Sequence, residues 1–315
     1  MVRPLKPALS LEEQLSLLKA RGMTIEDDDE ALNALRSLNY YRISGYSFQF
    51  KCAGSEKFEP GTSFSTVLKL YDFDSRLRNT IIRYLEIIEV YARTEIAYWF
   101  SHEFGSYGHY AEWNFRCHDE FEDFQRASIS AIGKNRDMPS VKNHQKYSAP
   151  VDFSDPETLN RFNMPLWALV EILSFSTISK FYSAIAPDVQ NRIAKDMKND
   201  MQYLGNQLHC MANLRNICAH YGRIYNQVLR PSIRLSNALY ADYRRSFAEN
   251  LPTDKFWGYM LGMKPLFPDE KLFGQMIEDV RVLIEAYEPF IELERLGMPK
   301  QWLEYAQRID RGKIK

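Results

Sequence analysis

FSTVLKLYDFDSRLRNTIIRYLEIIEVYARTEIAYWFSH, residues 64–102, is the stretch that decides the fold class. Leu70, Phe73, Leu77, Ile81, Tyr84, Ile88, Ala92, Ile96 and Trp99 recur at steps of three or four. That spacing places them on one face of an α-helix, one turn above another. Arg76, Arg78, Arg83, Glu86, Glu89 and Arg93 fall off the stripe. The pattern predicts a long bundle helix with one buried face, with Tyr71-Asp72 or Arg78-Asn79 as the places for a break.

Working toward the amino terminus, Ser10-Leu11-Glu12-Glu13 has the form of a capping box, and Gly22 is a stop for the helix it opens. A second short helix is predicted over Asp28 to Leu38, its acidic start matching the helix dipole. That acidic start also argues against reading the pair as a DNA-binding helix-turn-helix. Residues 39–50 have strand-like composition, with a packed loop or bent helix equally open. Core packing of Tyr40, Tyr41, Tyr46 and Phe48 is favoured over stacking on bases. Residues 54–62 read as a loop.

Toward the carboxy terminus, residues 105–163 contain an irregular stretch, and the polar run 134–146 (KNRDMPSVKNHQK) is predicted to be a mobile loop. Asn163-Met164-Pro165 reads as the start of a central helix over 166–185. Further helices are predicted over about 187–198, from about Asp200 to Gly222, and over 269–288. The stretch 251–268 reads as a segment punctuated by Pro and Gly. Every confident element is a helix, so the fold class is all-α.

The chain has 315 residues, 40 Lys+Arg against 41 Asp+Glu, 45% hydrophobic residues and 14% aromatics. These values describe a globular protein with material for a core. They exclude a largely disordered chain and one that coats nucleic acid by bulk positive charge. No targeting segment or membrane-spanning run is read, and Cys52, Cys117, Cys210 and Cys218 form no CxxC pair. A reducing cytoplasm is the expected location.

Charge distribution says more than net charge. From Met201 to Ala241 there is no Asp or Glu, where about five are expected at 41 acids in 315 residues. The same window holds His209, Arg215, His220, Arg223, Arg230 and Arg234. Clearing acid from one region makes a local anion site inside a neutral chain. Within it, NLRNICAHYGRIYN (213–226) carries Arg215-Asn216 and then His220, with four residues between Arg215 and His220. Arg grips phosphate with a planar fork and offsets charge that builds on phosphorus. His moves protons near neutral pH. Together they suit phosphodiester cleavage in RNA, where the 2′-hydroxyl is the nucleophile and no metal is required. Asn216 can orient His220 or a phosphate oxygen. A zinc site from His209, Cys210, Cys218 and His220 lacks paired-ligand spacing, so neither metal nor cofactor is expected.

Five blocks carry a resemblance: EQLSLLKARGM (13–23), LNYYRISGYSFQF (38–50), LYDFDSRLRNTIIRYLEIIEVYARTEIAYWF (70–100), MPLWALVEILSFSTISKFY (164–182) and LRNICAHYGRIYN (214–226). Their content and order resemble the Abi-like abortive-infection proteins of bacteria, AbiD/AbiF type, in the HEPN superfamily. The resemblance implies an HEPN-type helical bundle over residues 63–230, an amino-terminal helical extension (1–62) and a carboxy-terminal helical segment (231–315). It implies metal-independent endoribonuclease activity in phage defence, with Arg215 and His220 as the catalytic pair and Asn216 beside them. Glu89 or Arg93 would supply a polar position from an earlier helix, although their spacing also fits an intrahelical pair. Arg223, Arg230 and Arg234 are candidate RNA contacts. RNA is the expected partner, as substrate or as a small structured noncoding RNA. The alternative reading is a non-catalytic module that holds such an RNA. Residues five apart on an ideal helix lie about 140° from each other. Either the helix loosens before Gly222 or the site is composite, and a homodimer with a shared cleft formed by two Arg215–His220 pairs is expected.

Overall fold

A computed structural model describes residues 7–145 and 163–310. Among the described residues the fold is all-α: α-helices, short 3-10 turns and three isolated β-bridges, with no strand. No helix among them is long and apolar enough to cross a membrane.

The chain divides into two compact units. The first comprises Met1–Leu77 and Arg281–Glu292, the second Arg78–Val280 and Leu293–Lys315. In the first unit, α1 (Leu11–Ala20) starts with the Ser10–Glu13 capping box, formed in both directions. Helix α2 (Asp28–Leu38) is capped by Asp27, which accepts from Asp29 N and Glu30 N. Asn39 (φ +67°) then both ends α2 and caps α3 (Tyr40–Ser47) by accepting from Tyr41 N. Residues 39–50 are therefore a bent helical segment, with a 3-10 turn at Phe48–Phe50. Tyr46 is buried and donates to Asp74 Oδ2 at 2.7 Å, whereas Tyr41 and Phe48 are exposed. The packing expectation holds for the first and fails for the other two.

Helix α4 (Phe64–Phe104) is continuous for 41 residues, with no break at either candidate position. Its expected stripe is buried from Leu70 to Ile96, and each of its Leu, Ile and Phe side chains contributes roughly 1.5–3 kcal/mol by leaving water. At its end the buried row passes to Phe100, and Trp99 instead donates to Asp196 Oδ2 at 3.1 Å. Off the stripe, Arg78 and Glu89 are buried as well.

In the second unit, α5 (His118–Lys134) and α6 (Pro139–Gln145) occupy part of the stretch read as irregular. Residues 139–145, expected to be a mobile loop, are helical, and Lys146 lies outside the described residues. The helix expected over 166–185 is two pieces: α7 (Leu166–Leu169) and α8 (Phe175–Ala184). Pro165 rather than Asn163 occupies the cap position of α7. Arg93 causes the break: its Nη1 donates to the carbonyls of Val170 and Leu173, acceptors that a continuous helix would use internally. Ser174 then caps α8 by accepting from Thr177 N.

Helix α9 (Pro187–Asp196) follows, then α10 (Met201–Ala219), which packs against α8, α9 and α12. Helices α11 (Asn237–Phe247), α12 (Phe256–Met263), α13 (Lys271–Tyr287) and α14 (Trp302–Asp310) complete the order. Helix α12 lies inside the segment read as Pro/Gly punctuation, and all eight of its residues are buried. A Cβ at Gly258 would stand 2.5 Å from Pro252 O, so glycine there permits close packing and does not break the helix.

Candidate active site

Helix α10 opens at Asp200, whose side chain accepts from Gln202 N at 2.9 Å. Leu204, Leu208, Met211, Leu214 and Cys218 form its buried face, and Met201 at its first position is exposed. A second row is polar: Asn206, His209, Asn213, Asn216 and His220, at steps of three and four. His209 Nε2 and Asn213 Nδ2 are 3.3 Å apart, and Asn216 Nδ2 donates to Ser176 Oγ of α8 at 3.2 Å.

The helix is regular through Ala219 and stops at His220, its C-cap (φ −100°, ψ 19°). Tyr221 N donates to Cys218 O at 3.3 Å and Gly222 N to Ile217 O at 2.8 Å, the two bonds of a Schellman motif. The left-handed position falls on Tyr221 (φ +58°), not on glycine. Gly222 meets a different demand, since a Cβ there would stand 3.0 Å from Ile217 Cγ2. The His220 ring is exposed, with no side-chain partner among the described residues. The loosening therefore happens at His220 itself, which leaves the helical track after Arg215 has been placed by it.

Arg215 is fixed from α4. Its Nε lies 3.3 Å from Glu89 Oε2, while Glu89 Oε1 accepts from Arg93 Nη2. Glu89 and Arg93 retain only 10% and 11% exposure, and Arg215 keeps 40%. One buried carboxylate thus joins two guanidiniums, so the cluster carries one net positive charge. Arg93 spends Nη1 on the two carbonyls of the break. The Arg215 Nη groups have no partner among the described residues. Spacing offered an intrahelical Glu89–Arg93 pair or a reach to the motif helix, and both are present. The acid missing from residues 201–241 is supplied here by α4.

Arg215, Asn216, Glu89 and Arg93 are thus brought together, with His220 one turn on. Arg223 is half-buried just after the motif. Arg230 and Arg234 are exposed and lie further back along α10. The Arg230 carbonyl faces Asn213 Nδ2 at 3.5 Å, and Arg234 N donates to Asn206 Oδ1 at 2.6 Å. Asn206 precedes His220 by about 20 Å of helix, so Arg234 stands apart from the cluster. Cys210 is buried, with its thiol 3.5 Å from Pro231 O, and burial pushes its pKa up to about 11. No group of three or more His, Cys, Asp or Glu suited to a metal occurs among the described residues.

The family model described as Abi-like protein matches residues 33–226, more than half of the chain. The chain belongs to the Abi-like protein family. Membership implies a role in abortive infection, the defence of bacteria against phage. The matched span of this Abi-like chain contains α4, the break at 170–174 and the whole of α10 with Arg215 and His220. No curated protein and no solved structure matches it.

Reading the sequence alone missed Ser176 and Asn213, and it named His209 within the acid-free window without placing it on a row with Asn213. The signal for Asn213 and His209 was present, as the polar 209–213–216–220 row opposite the apolar one. Ser176 carries no such signal, because its link to Asn216 spans 40 positions.

Proposed function

We propose that this Abi-like protein is a metal-independent endoribonuclease of the HEPN type. The observation that carries the reading is the Arg215–His220 end of α10. A half-exposed guanidinium is held through Nε by a buried carboxylate, and an exposed imidazole follows at the first non-helical position. In the mechanism, the RNA 2′-hydroxyl attacks the adjacent phosphorus and the 5′-oxygen leaves, giving a 2′,3′-cyclic phosphate and a 5′-hydroxyl. Arg215 holds the non-bridging oxygens as charge builds on them. His220 moves a proton from the 2′-hydroxyl or to the leaving oxygen. Glu89 orients Arg215, and Asn216, tied to Ser176, steadies the helix face that the phosphate approaches.

Arg215 and His220 leave α10 in different directions, which supports a homodimer whose two motifs complete one cleft. The expected result is RNA cleavage by the wild type that persists in EDTA and yields cyclic phosphate ends. Arg215→Ala and His220→Ala should each lower the rate by at least a hundredfold, in line with loss of a charge-stabilising or proton-transfer group. Full activity in a clean His220→Ala preparation would sink the assignment.

A second reading is a non-catalytic module for structured RNA. It is favoured by the exposed Arg230 and Arg234, whose main chain is pinned along α10. Tight binding without cleavage, weakened by Arg230→Ala and Arg234→Ala, would select it.

A further inference from the structure

We propose that the cavity between α5, α8 and α10 is a nucleobase site with a preference for guanine, a proposal that rests on the RNA-cleaving reading above. The cavity encloses about 430 Å³, within the range of small-ligand pockets. Its apolar wall includes Phe124 and Phe181, whose rings stack at 4.3 Å. Its polar lining includes Glu120, Asp123, Lys180 and His209.

Glu120 Oε2 is enclosed and has no hydrogen-bond partner among the described residues. The carboxylates of Glu120 and Asp123 in the lining accept hydrogen bonds and donate none, so the cavity is suited to an occupant that brings N–H donors. Glu120 and Asp123 outnumber Lys180 in the lining, which favours the neutral part of a nucleotide over its phosphate. A flat ring fits against the apolar wall of Phe124, Ala127, Phe181 and Ala184. Guanine alone among the four RNA bases sets two donors, N1–H and N2–H, side by side on one edge. That edge matches the paired oxygens of a carboxylate.

Position links the cavity to the motif. His209 lies on the polar row that continues through Asn213 and Asn216 to His220, about 10 Å along α10 from His209 to Asn216. Thr177, also in the lining, follows Ser176, the acceptor for Asn216. One strand can therefore lay its phosphate at Arg215 and seat a neighbouring base against Glu120.

The test is titration of the full chain with the four 5′-ribonucleoside monophosphates, read by calorimetry. Guanosine monophosphate should bind about tenfold more tightly than uridine monophosphate, the scale of one paired base contact. Glu120→Gln, which keeps the side-chain shape but removes the second acceptor, should erase that preference. Ala127→Leu, which places three more carbons in the cavity lining, should weaken all four. Arg215→Ala should weaken all four without changing their order. An unchanged order in Glu120→Gln, unchanged binding in Ala127→Leu, or no binding of any nucleotide overturns the proposal. The two readings fail separately. Base preference set by Glu120 in a chain that cuts no RNA keeps the cavity and removes the nuclease. Cleavage lost in His220→Ala with no role for Glu120 keeps the nuclease and removes the cavity.

Discussion

The break at residues 170–174 and the last turn of α10 are each organised by a guanidinium bonded to Glu89, and they use it in opposite ways. Arg93 is nearly enclosed and bonds the Val170 and Leu173 carbonyls as well as the carboxylate. Arg215 keeps 40% exposure and commits only Nε. The first is consumed by the fold, and the second is held by it yet left able to bind. Exposure and the count of committed nitrogens therefore separate a structural arginine from an available one, although the two share a partner.

Arg93→Ala should break the comparison with the largest effect. It leaves a buried carboxylate with one partner and two carbonyls with none, costing about 3–5 kcal/mol. Chemical denaturation should show the midpoint falling with unchanged slope.

The two histidines extend the contrast to pH. His220 is exposed, whereas His109 is fully buried, and desolvation lowers its pKa to about 3 from 6.5. Below pH 6.5 the unfolded chain takes up a proton that the folded chain refuses, so stability is lost as pH falls toward 3. The expected loss by pH 4 is about 3 kcal/mol, and His109→Leu should remove it. Glu95 acts the other way. Burial and then the Asp196 carboxylate push it up to about 7, so its protonation favours the fold as pH falls from 7 to 4.5. The His109 contribution is therefore read as the difference between wild type and variant.

Smaller effects sharpen the picture at the motif. Tyr221→Gly should stabilise the chain by about 1 kcal/mol, by relieving a left-handed backbone that side chains disfavour. A rise in melting temperature is the check. Arg215→Ala should cost at most about 1 kcal/mol in the same assay, because its ion pair is partly solvated. A cost as large as that of Arg93→Ala would erase the distinction between the two arginines.

How much could be read in advance follows from how far each cause acts. The α4 stripe, the Ser10 capping box and the bounds of α2 arise within a few residues, and periodicity or a cap reveals them. The break after α7 is caused by Arg93, 77 positions from Val170, so the local apolar run 166–185 concealed it. Helix α12 is apolar on every side and has no period to read, and its glycines, present for close packing, looked like loop residues. At the site, Arg215, Asn216 and His220 were found through the acid-free window and the family blocks. The link from Arg215 to Glu89 was open only as one of two alternatives, since spacing along α4 fits either.

The position of His220 turns the site into something that can be watched. Its amide bonds Asn216 O, and the next two amides close the Schellman turn. Helix ends open more readily than helix middles. Deuterium uptake at these three successive amides therefore reports, without any substrate, the fraction of time the Arg215–His220 geometry exists. Slower uptake on adding RNA would register the ligand settling that turn.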